Sequence, residues 1–268
     1  YPSIELAIGI DRDAEILNYA RDTFDEPRLS LYQANASDLK MVLENAGVRR
    51  VDGILLDLGV SSYQLDNPDR GFSFSKSGPL DMRMNTNDGE TAADLVNTLS
   101  KSELEKIIFE YGEERYGRRI ADAIVAFREN KKFETTEELS KVVCSAVPSL
   151  PPSQKHIHPA TRTFQALRIA VNHELEEVEN FLNIALSCLN PGGHLSIISF
   201  HSLEDRLVKN FVQKNTKGCE CPPQFPVCVC GKKPTIKLLT RKAIFAEEEE
   251  IALNPRARSA RLRSIEKL

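Results

Sequence analysis

The sequence predicts an α/β fold, a parallel sheet flanked by helices with an all-helical segment inserted into it. Three observations carry that expectation. Short apolar runs at residues 4–11, 29–34 and 51–57 alternate with stretches of helical periodicity, the order of parallel strands joined by right-handed crossovers. Two of those runs end in an acid, Asp11 and Asp57, at the strand edge where open α/β sheets bind ligands. Between residues 91 and 146, by contrast, apolar side chains recur only at helical spacing, with no strand signal among them.

Composition sets the frame. The chain has 268 residues, 41% hydrophobic and 28% charged, enough for one large or two modest domains with a real core and too apolar for a disordered chain. No apolar run reaches about 18 residues and no basic-then-apolar leader opens the chain, which reads as a cytoplasmic protein without a membrane span. A net charge of -4 argues against coating nucleic acid by bulk attraction, although local basic clusters act through the field at their own site.

Each element follows in order. Residues 4–11 form a strand and residues 14–23 a helix with Ile16, Leu17 and Ala20 on one side. A strand at 29–34 and a helix at 37–46, closed by Gly47, precede the 51–57 strand. There Ile54, Leu55 and Leu56 do not alternate with polar residues, which suits a central strand covered on both faces. Residues 66–90 are rich in Gly, Pro, Asp and Ser, and so long an irregular stretch is usually functional. Four short helices follow, marked by Leu95 and Val96, by Leu104 and Ile108, by Ile120 and Ile124, and by Leu139 and Val143. Pro148, Pro151 and Pro152 end the insert. Residues 163–189 read as one long amphipathic helix, with Leu167, Val171, Leu175, Val178, Leu182 and Leu186 stepping by three or four, terminated by Asn190-Pro-Gly-Gly193. A buried strand at 194–200, a Gly, Pro and Cys-rich loop at 216–234 and strands at 235–240 and 260–265 complete the chain.

Two acid-ended strands, with a helix, a Pro-Gly-Gly turn and a strand ending at His201, outline a class I (Rossmann-like) methyltransferase sheet. A nicotinamide or nucleotide-binding enzyme has a similar outline, and Asp57 also suits a helix cap.

Longer segments narrow the choice. Asp57-Leu-Gly-Val-Ser-Ser-Tyr-Gln-Leu, Arg70-Gly-Phe-Ser-Phe, Gly78-Pro-Leu-Asp-Met-Arg-Met, Tyr111-Gly-Glu-Glu, Thr161-Arg-Thr-Phe-Gln-Ala-Leu-Arg, Asn172-His-Glu-Leu, Ile198-Ser-Phe-His-Ser-Leu-Glu-Asp-Arg and Asn254-Pro-Arg-Ala-Arg-Ser, in that order, closely resemble the RsmH (MraW) family. The resemblance covers nearly the whole chain from Ile8. It implies an S-adenosyl-L-methionine-dependent transfer of a methyl group to N4 of a cytidine in small-subunit ribosomal RNA. Asp11 is then expected on the cofactor ribose, with Asp57 and Gln64 lining the cofactor pocket. Ala36 takes the place of an aromatic that the family often sets near the adenine. The family's first strand and glycine-rich cofactor loop have no counterpart in this sequence, and the expectation is a chain that starts downstream of them.

The chemistry asks chiefly for positioning. An exocyclic cytosine amine is delocalised into its ring, so the enzyme must accept hydrogen bonds from it and align the nitrogen with the sulfonium methyl. Asp57 and the backbone carbonyls of the segment after it suit that task, and His201 is the candidate proton acceptor or phosphate contact. DNA amino methyltransferases commonly carry Asp/Asn-Pro-Pro-Tyr at this strand end; Asp57-Leu-Gly-Val lacks the prolines and the aromatic. Phe72, Phe74 or Tyr63 are candidates to stack on a displaced base, or else anchor the loop in the core. Asp81 and Arg83 are expected either to shape the pocket or to pair with each other.

For RNA the candidate cations are Arg115, Arg118 and Arg119, then Lys155, His156, His158, Arg162 and Arg168, then Arg256, Arg258, Arg261 and Arg263. Cys219, Cys221, Cys228 and Cys230 stand at one-residue gaps, too close for an ordinary zinc pair, and no metal is assigned. The expected division is 1–72 and 163–268 as two parts of a methyltransferase domain and 73–162 as a helical RNA-recognition insert. Expected partners are small-subunit ribosomal RNA or the small ribosomal subunit, with the chain a monomer or homodimer. An RNA-binding assembly factor that kept the fold without catalysis, and a DNA cytosine methyltransferase, are the alternatives.

Overall fold

The computed structural model describes residues 3–148, 157–218, 221, 227 and 229–268. These residues fall into two units with separate cores: residues 1–11, 17–59 and 175–268 in the first, residues 12–16 and 60–174 in the second.

The first unit holds the strands. β1 (Ala7–Asp11), α1 (Ala14–Thr23), β2 (Leu29–Gln33), α2 (Leu39–Asn45) and β3 (Val51–Asp57) follow the expected order. The first residues of α1 belong to the second unit. After α9 (Glu174–Cys188) come β4 (Leu189–Ser199), α10 (Ser202–Thr216), β5 (Ile236–Leu238), β6 (Ile244–Phe245), α11 (Glu248–Leu253) and β7 (Arg261–Lys267). The core between helices and sheet is made of Phe181, Leu182 and Ala185 of α9, Leu195 and Ile197 of β4, Val208 of α10 and Ile265 of β7, with Leu39 and Leu43 of α2 packed on it. Each large side chain buried this way is worth about 1.5–3 kcal/mol.

Strand pairing departs from a single parallel sheet. β1 and β2 pair in parallel as a sheet of their own, whereas β3 pairs in parallel with β4. The larger sheet runs β3-β4-β7-β5, with β7 antiparallel to both neighbours and β6 attached to β7. Nor is β3 covered on both faces. Its residues alternate in exposure: Ile54 and Leu56 pack on the core from one face, while Leu55, on the other, is 68% exposed.

The second unit is helical. α3 (Ser62–Asp66) leads into the irregular stretch, and α4 (Ala92–Thr98), α5 (Lys101–Gly112), α6 (Gly117–Arg128) and α7 (Thr136–Ala146) are the four expected helices. Their starts are written in the sequence. Thr91 with Asp94, Ser100 with Glu103 and Thr135 with Glu138 close reciprocal capping boxes that satisfy the first free N–H groups of α4, α5 and α7. Leu104, Ile108, Ile120, Ile124, Leu139 and Val143 are 0% exposed and form one core with Phe164 and Leu167 of α8 (Thr161–Asn172).

The long helix expected at 163–189 is two helices. His173 takes φ of +51°, a left-handed conformation that ends α8 before α9 begins at Glu174. The apolar period runs through both helices, so periodicity alone does not reveal the break. Tertiary bonds on Asn172 fix it: its side chain donates to Met82 O at 2.8 Å and accepts from Met84 N at 2.8 Å.

Candidate active site

The carboxyl ends of β3 and β4 lie side by side, with Asp57 in register with Ile198. Beyond Asp57 the chain stays tied to β4, Leu58 N donating to Ile198 O at 3.0 Å, and Gly59 takes φ of +88°. Only a residue without a Cβ adopts that conformation freely, which frees the backbone just past the acid for a sharp exit. At the end of β4, the carboxylate of Glu204 accepts from Phe200 N at 2.8 Å and His201 N at 3.3 Å, while His201 Nδ1 faces Glu204 N at 3.5 Å as the cap of α10. Glu204 is 1% exposed, a buried anion held by backbone N–H groups.

That anion acts on Asp57. Although Asp57 is exposed overall, its carboxyl is pushed above the usual carboxylate range, first by partial desolvation and second by the charge of Glu204. A carboxylate raised in this way is a better proton acceptor near neutral pH than an ordinary one.

Asp11 ends β1 half-buried, opposite Gln33 of β2. It and Asp57 thus terminate strands of different sheets within the first unit. Ala36 opens a single helical turn after β2 and packs on the first core. His201 is mostly buried, with Nε2 3.1 Å from Glu204 Oε1 but out of hydrogen-bond alignment.

Within the second unit the other candidates fall into tight local networks. Gln64 is buried, boxes the start of α3 with Ser61 and donates to Asp13 Oδ2 at 2.6 Å. Phe72 is 7% exposed in the helical core, where it anchors the loop. Phe74 stacks on His158 at 4.5 Å and meets Phe164 edge-on at 4.8 Å. Asp81 and Arg83 form a bidentate pair, both bonds 2.8 Å, the mutual pairing expected of residues two apart. Arg168 is likewise held by both oxygens of Glu174 at 2.7 and 2.8 Å, and Arg162 donates to Glu113 O at 3.2 Å beside Glu114. Arg256 and Arg258 are exposed in the turn before β7. Arg261 and Arg263 are instead drawn to Asp205, with Arg263 Nε donating to Oδ1 at 2.8 Å. Cys219, Cys228, Lys155 and His156 lie outside the described residues; of the cysteine cluster Cys221 and Cys230 are described, and Cys221 Sγ accepts from Val229 N at 3.4 Å.

Periodicity and composition pass over Arg70, Asp13, Asn172, Glu204 and Asp205. Each is a buried polar residue inside one of the resembling motifs or two residues after Asp11, and polar residues within those motifs are the available signal.

Comparison with known proteins agrees with the motif reading. The chain matches the MraW methylase family over residues 1–268. It is 52% identical over 267 residues to a protein of Syntrophotalea carbinolica, 98% of this chain and 84% of that one. It is 51% identical over 263 residues to one of Pelobacter propionicus and 50% over 263 to one of Carboxydothermus hydrogenoformans, in both cases 97% of this chain and 84% of the relative. All three relatives bear the name ribosomal RNA small subunit methyltransferase H. With the family matched from end to end and identities near one half, the chain belongs to the MraW methylase family.

Proposed function

We propose that this protein is an S-adenosylmethionine-dependent methyltransferase acting on N4 of a cytidine in small-subunit ribosomal RNA. The class and cofactor follow from family membership and the relatives' shared name. The observation that supports the chemistry is Asp57, an acceptor of raised pKa at the open end of β3, followed by a left-handed glycine.

The residues at this edge suit the cofactor. Asp11 at the end of β1 offers carboxylate oxygens to ribose hydroxyls, and Gly59 keeps the backbone past Asp57 free of a side chain. When bound, S-adenosylmethionine supplies an electrophilic methyl on a sulfonium. In our reading β1-β2 and the five-stranded sheet are parts of one class I sheet.

Asp57 accepts a hydrogen bond from the cytosine amine, which draws the nitrogen lone pair out of conjugation and orients it for in-line attack. Were the sulfonium methyl to pass to that nitrogen, its bond to sulfur breaking to leave the neutral thioether, the amine proton would go to the Asp57 carboxylate. Glu204 and His201 position the strand end, and partial desolvation, seconded by the negative charge of Glu204, maintains the basicity of Asp57. The helical unit, 73–162 in our division, contributes to holding RNA, with exposed Arg118 and Arg119 on α6 as its cations. No described helix is long and apolar enough to cross a membrane.

The test is transfer of labelled methyl groups to small ribosomal subunits and to their naked RNA, followed by mass spectrometry of the nucleosides. N4-methylated cytidine formed by the wild type and lost in Asp57→Asn is the expected result. Methylation at another base or atom, or full activity of the variant, would overturn the assignment.

A further inference from the structure

An open pocket of about 340 Å³ lies in the first unit between α10 and the strands β5 and β7. One wall is a single face of α10, where Lys209, Val212, Gln213 and Thr216 recur at helical spacing. The floor is Leu238 and Ile265, register partners in the β5–β7 ladder. The opposite rim is pinned by backbone: Leu239 N and Thr240 N each donate to Ser264 O at 3.1 Å, and Ser264 N donates to Thr240 Oγ1 at 3.0 Å. That knot fixes the segment carrying Arg241 against β7.

The charge of the lining is one-sided. Lys209, Arg241 and Arg263 line the pocket and no carboxylate does. Lys209 and Arg241 are exposed and form no hydrogen bond or close ion pair among the described residues, although the charge of Lys209 also acts on Asp205. Arg263 uses Nε and Nη2 on Asp205, which leaves Nη1 to donate elsewhere. Arg162 and Arg168, by contrast, are already committed to internal acceptors.

We infer that this pocket is a contact for single-stranded RNA, holding the phosphate and sugar of one nucleotide that flanks the methylated base; the inference rests on the function proposed above. The cations match a phosphate, and Gln213 and the Thr240 hydroxyl offer hydrogen bonds to sugar or base edge. Leu238 and Ile265 supply an apolar floor for a sugar or base. Phe245 of β6, 59% exposed and paired with Arg261, presents a stacking face along the same strand. The distance suits one RNA strand. Asp57 is in register with Ile198 and Ile198 with Leu262 of β7, two strand spacings or about 10 Å away. The pocket residues Arg263, Ser264 and Ile265 lie one to three residues further along β7, at about 3.4 Å each, and Leu238 one strand beyond. The pocket thus takes a nucleotide a short way along the strand from the methylated base.

The test uses fluorescence anisotropy with a short labelled uridine-rich RNA, titrated with wild-type protein and with the double variant Lys209→Ala, Arg241→Ala over a series of salt concentrations. Affinity is expected to fall about tenfold or more, and the slope of log K against log salt to drop by roughly 1.4, two lost contacts at about 0.7 each. The charge-preserving pair Lys209→Arg, Arg241→Lys should bind as the wild type does. Unchanged affinity and slope in the alanine variant would overturn the inference, as would competition by inorganic phosphate with no dependence on RNA length, which marks a small-anion site. Methyl transfer by the wild type is read in parallel: its absence removes the proposed function, while the RNA titration judges the pocket by itself.

Discussion

Arg70 and Asp13 are almost fully buried, at 4% and 2% exposed, and Arg70 Nη1 donates to Asp13 Oδ2 at 2.7 Å. The same guanidinium reaches Glu15 at 3.0 Å, Arg83 O at 2.9 Å and Met84 O at 3.0 Å, while Asp13 also accepts from Gln64. One planar fork thus ties residues 12–16, α3 and the irregular stretch into the helical unit. Removing it leaves Asp13 buried without its cation, so Arg70→Ala is expected to lose about 3–5 kcal/mol of stability, measured by denaturant unfolding. Arg70→Lys should recover only part of that, because an ammonium cannot span the carboxylate and two carbonyls. A loss below about 1 kcal/mol would mean the loop is held by other contacts.

Gly71 takes φ of +71° directly after Arg70, and a Cβ built there would stand 2.4 Å from Pro79 O and 2.7 Å from Asp81 N. Both obstacles are backbone and cannot rotate away. Gly71→Ala should therefore cost at least about 1–3 kcal/mol and loosen the stretch that Arg70 anchors. Hydrogen exchange of residues 79–84 is the readout, and unchanged protection there would refute the clash.

Asp57→Asn is expected to lower methyl transfer by at least about a hundredfold, the range for losing a positioned proton acceptor. Its effect on stability has the opposite sign. The folded carboxyl holds its proton to higher pH than the unfolded one, so its contribution is fully present at acid pH and is lost as pH rises from the ordinary carboxylate range through the folded pKa. At neutral pH its charge costs stability, and the asparagine variant should melt higher there but not at acid pH. Equal melting temperatures at neutral pH would show that Glu204 and desolvation do not act on Asp57 as described.

Asp205 behaves in the reverse sense. Burial raises its carboxyl, but the hydrogen bond from Arg263 and the charges of Arg263, Arg261 and Lys209 outweigh burial and hold it below the usual range. The stability it contributes is present above the unfolded pKa and is lost as pH falls through the folded one. Asp205→Asn should cost about 1.5–3 kcal/mol at neutral pH, the scale of hydrogen bonds to a charged group, with the difference closing in acid. Denaturation at neutral and acid pH checks both parts.

Local chemistry made much of this structure legible in advance. Helices α4, α5 and α7 of the second unit start where Thr or Ser stands three residues before Asp or Glu, because those side chains satisfy the end groups wherever they occur. Asp11 and Asp57 end strands, as the apolar runs before them implied. Pairing between strands was not legible, since β7 reaches its place between β4 and β5 through contacts distant in sequence. Nor was the fate of the cations. Arg261 and Arg256 look alike in a basic run, yet Arg261 lies on a strand beside Asp205 and Arg256 in an exposed turn. His173 escaped for a related reason: its left-handed backbone follows from what Asn172 bonds to ninety residues upstream.

The antiparallel β7 between β4 and β5 also orders events during synthesis. Every residue of the helical unit precedes Leu175, so that unit can close while the chain is still being made. The five-stranded sheet cannot, because its middle rung, residues 261–267, emerges after all its neighbours. A nascent molecule therefore carries a finished helical body and, until β7 has emerged from the ribosome, a β4 strand with one edge unpaired.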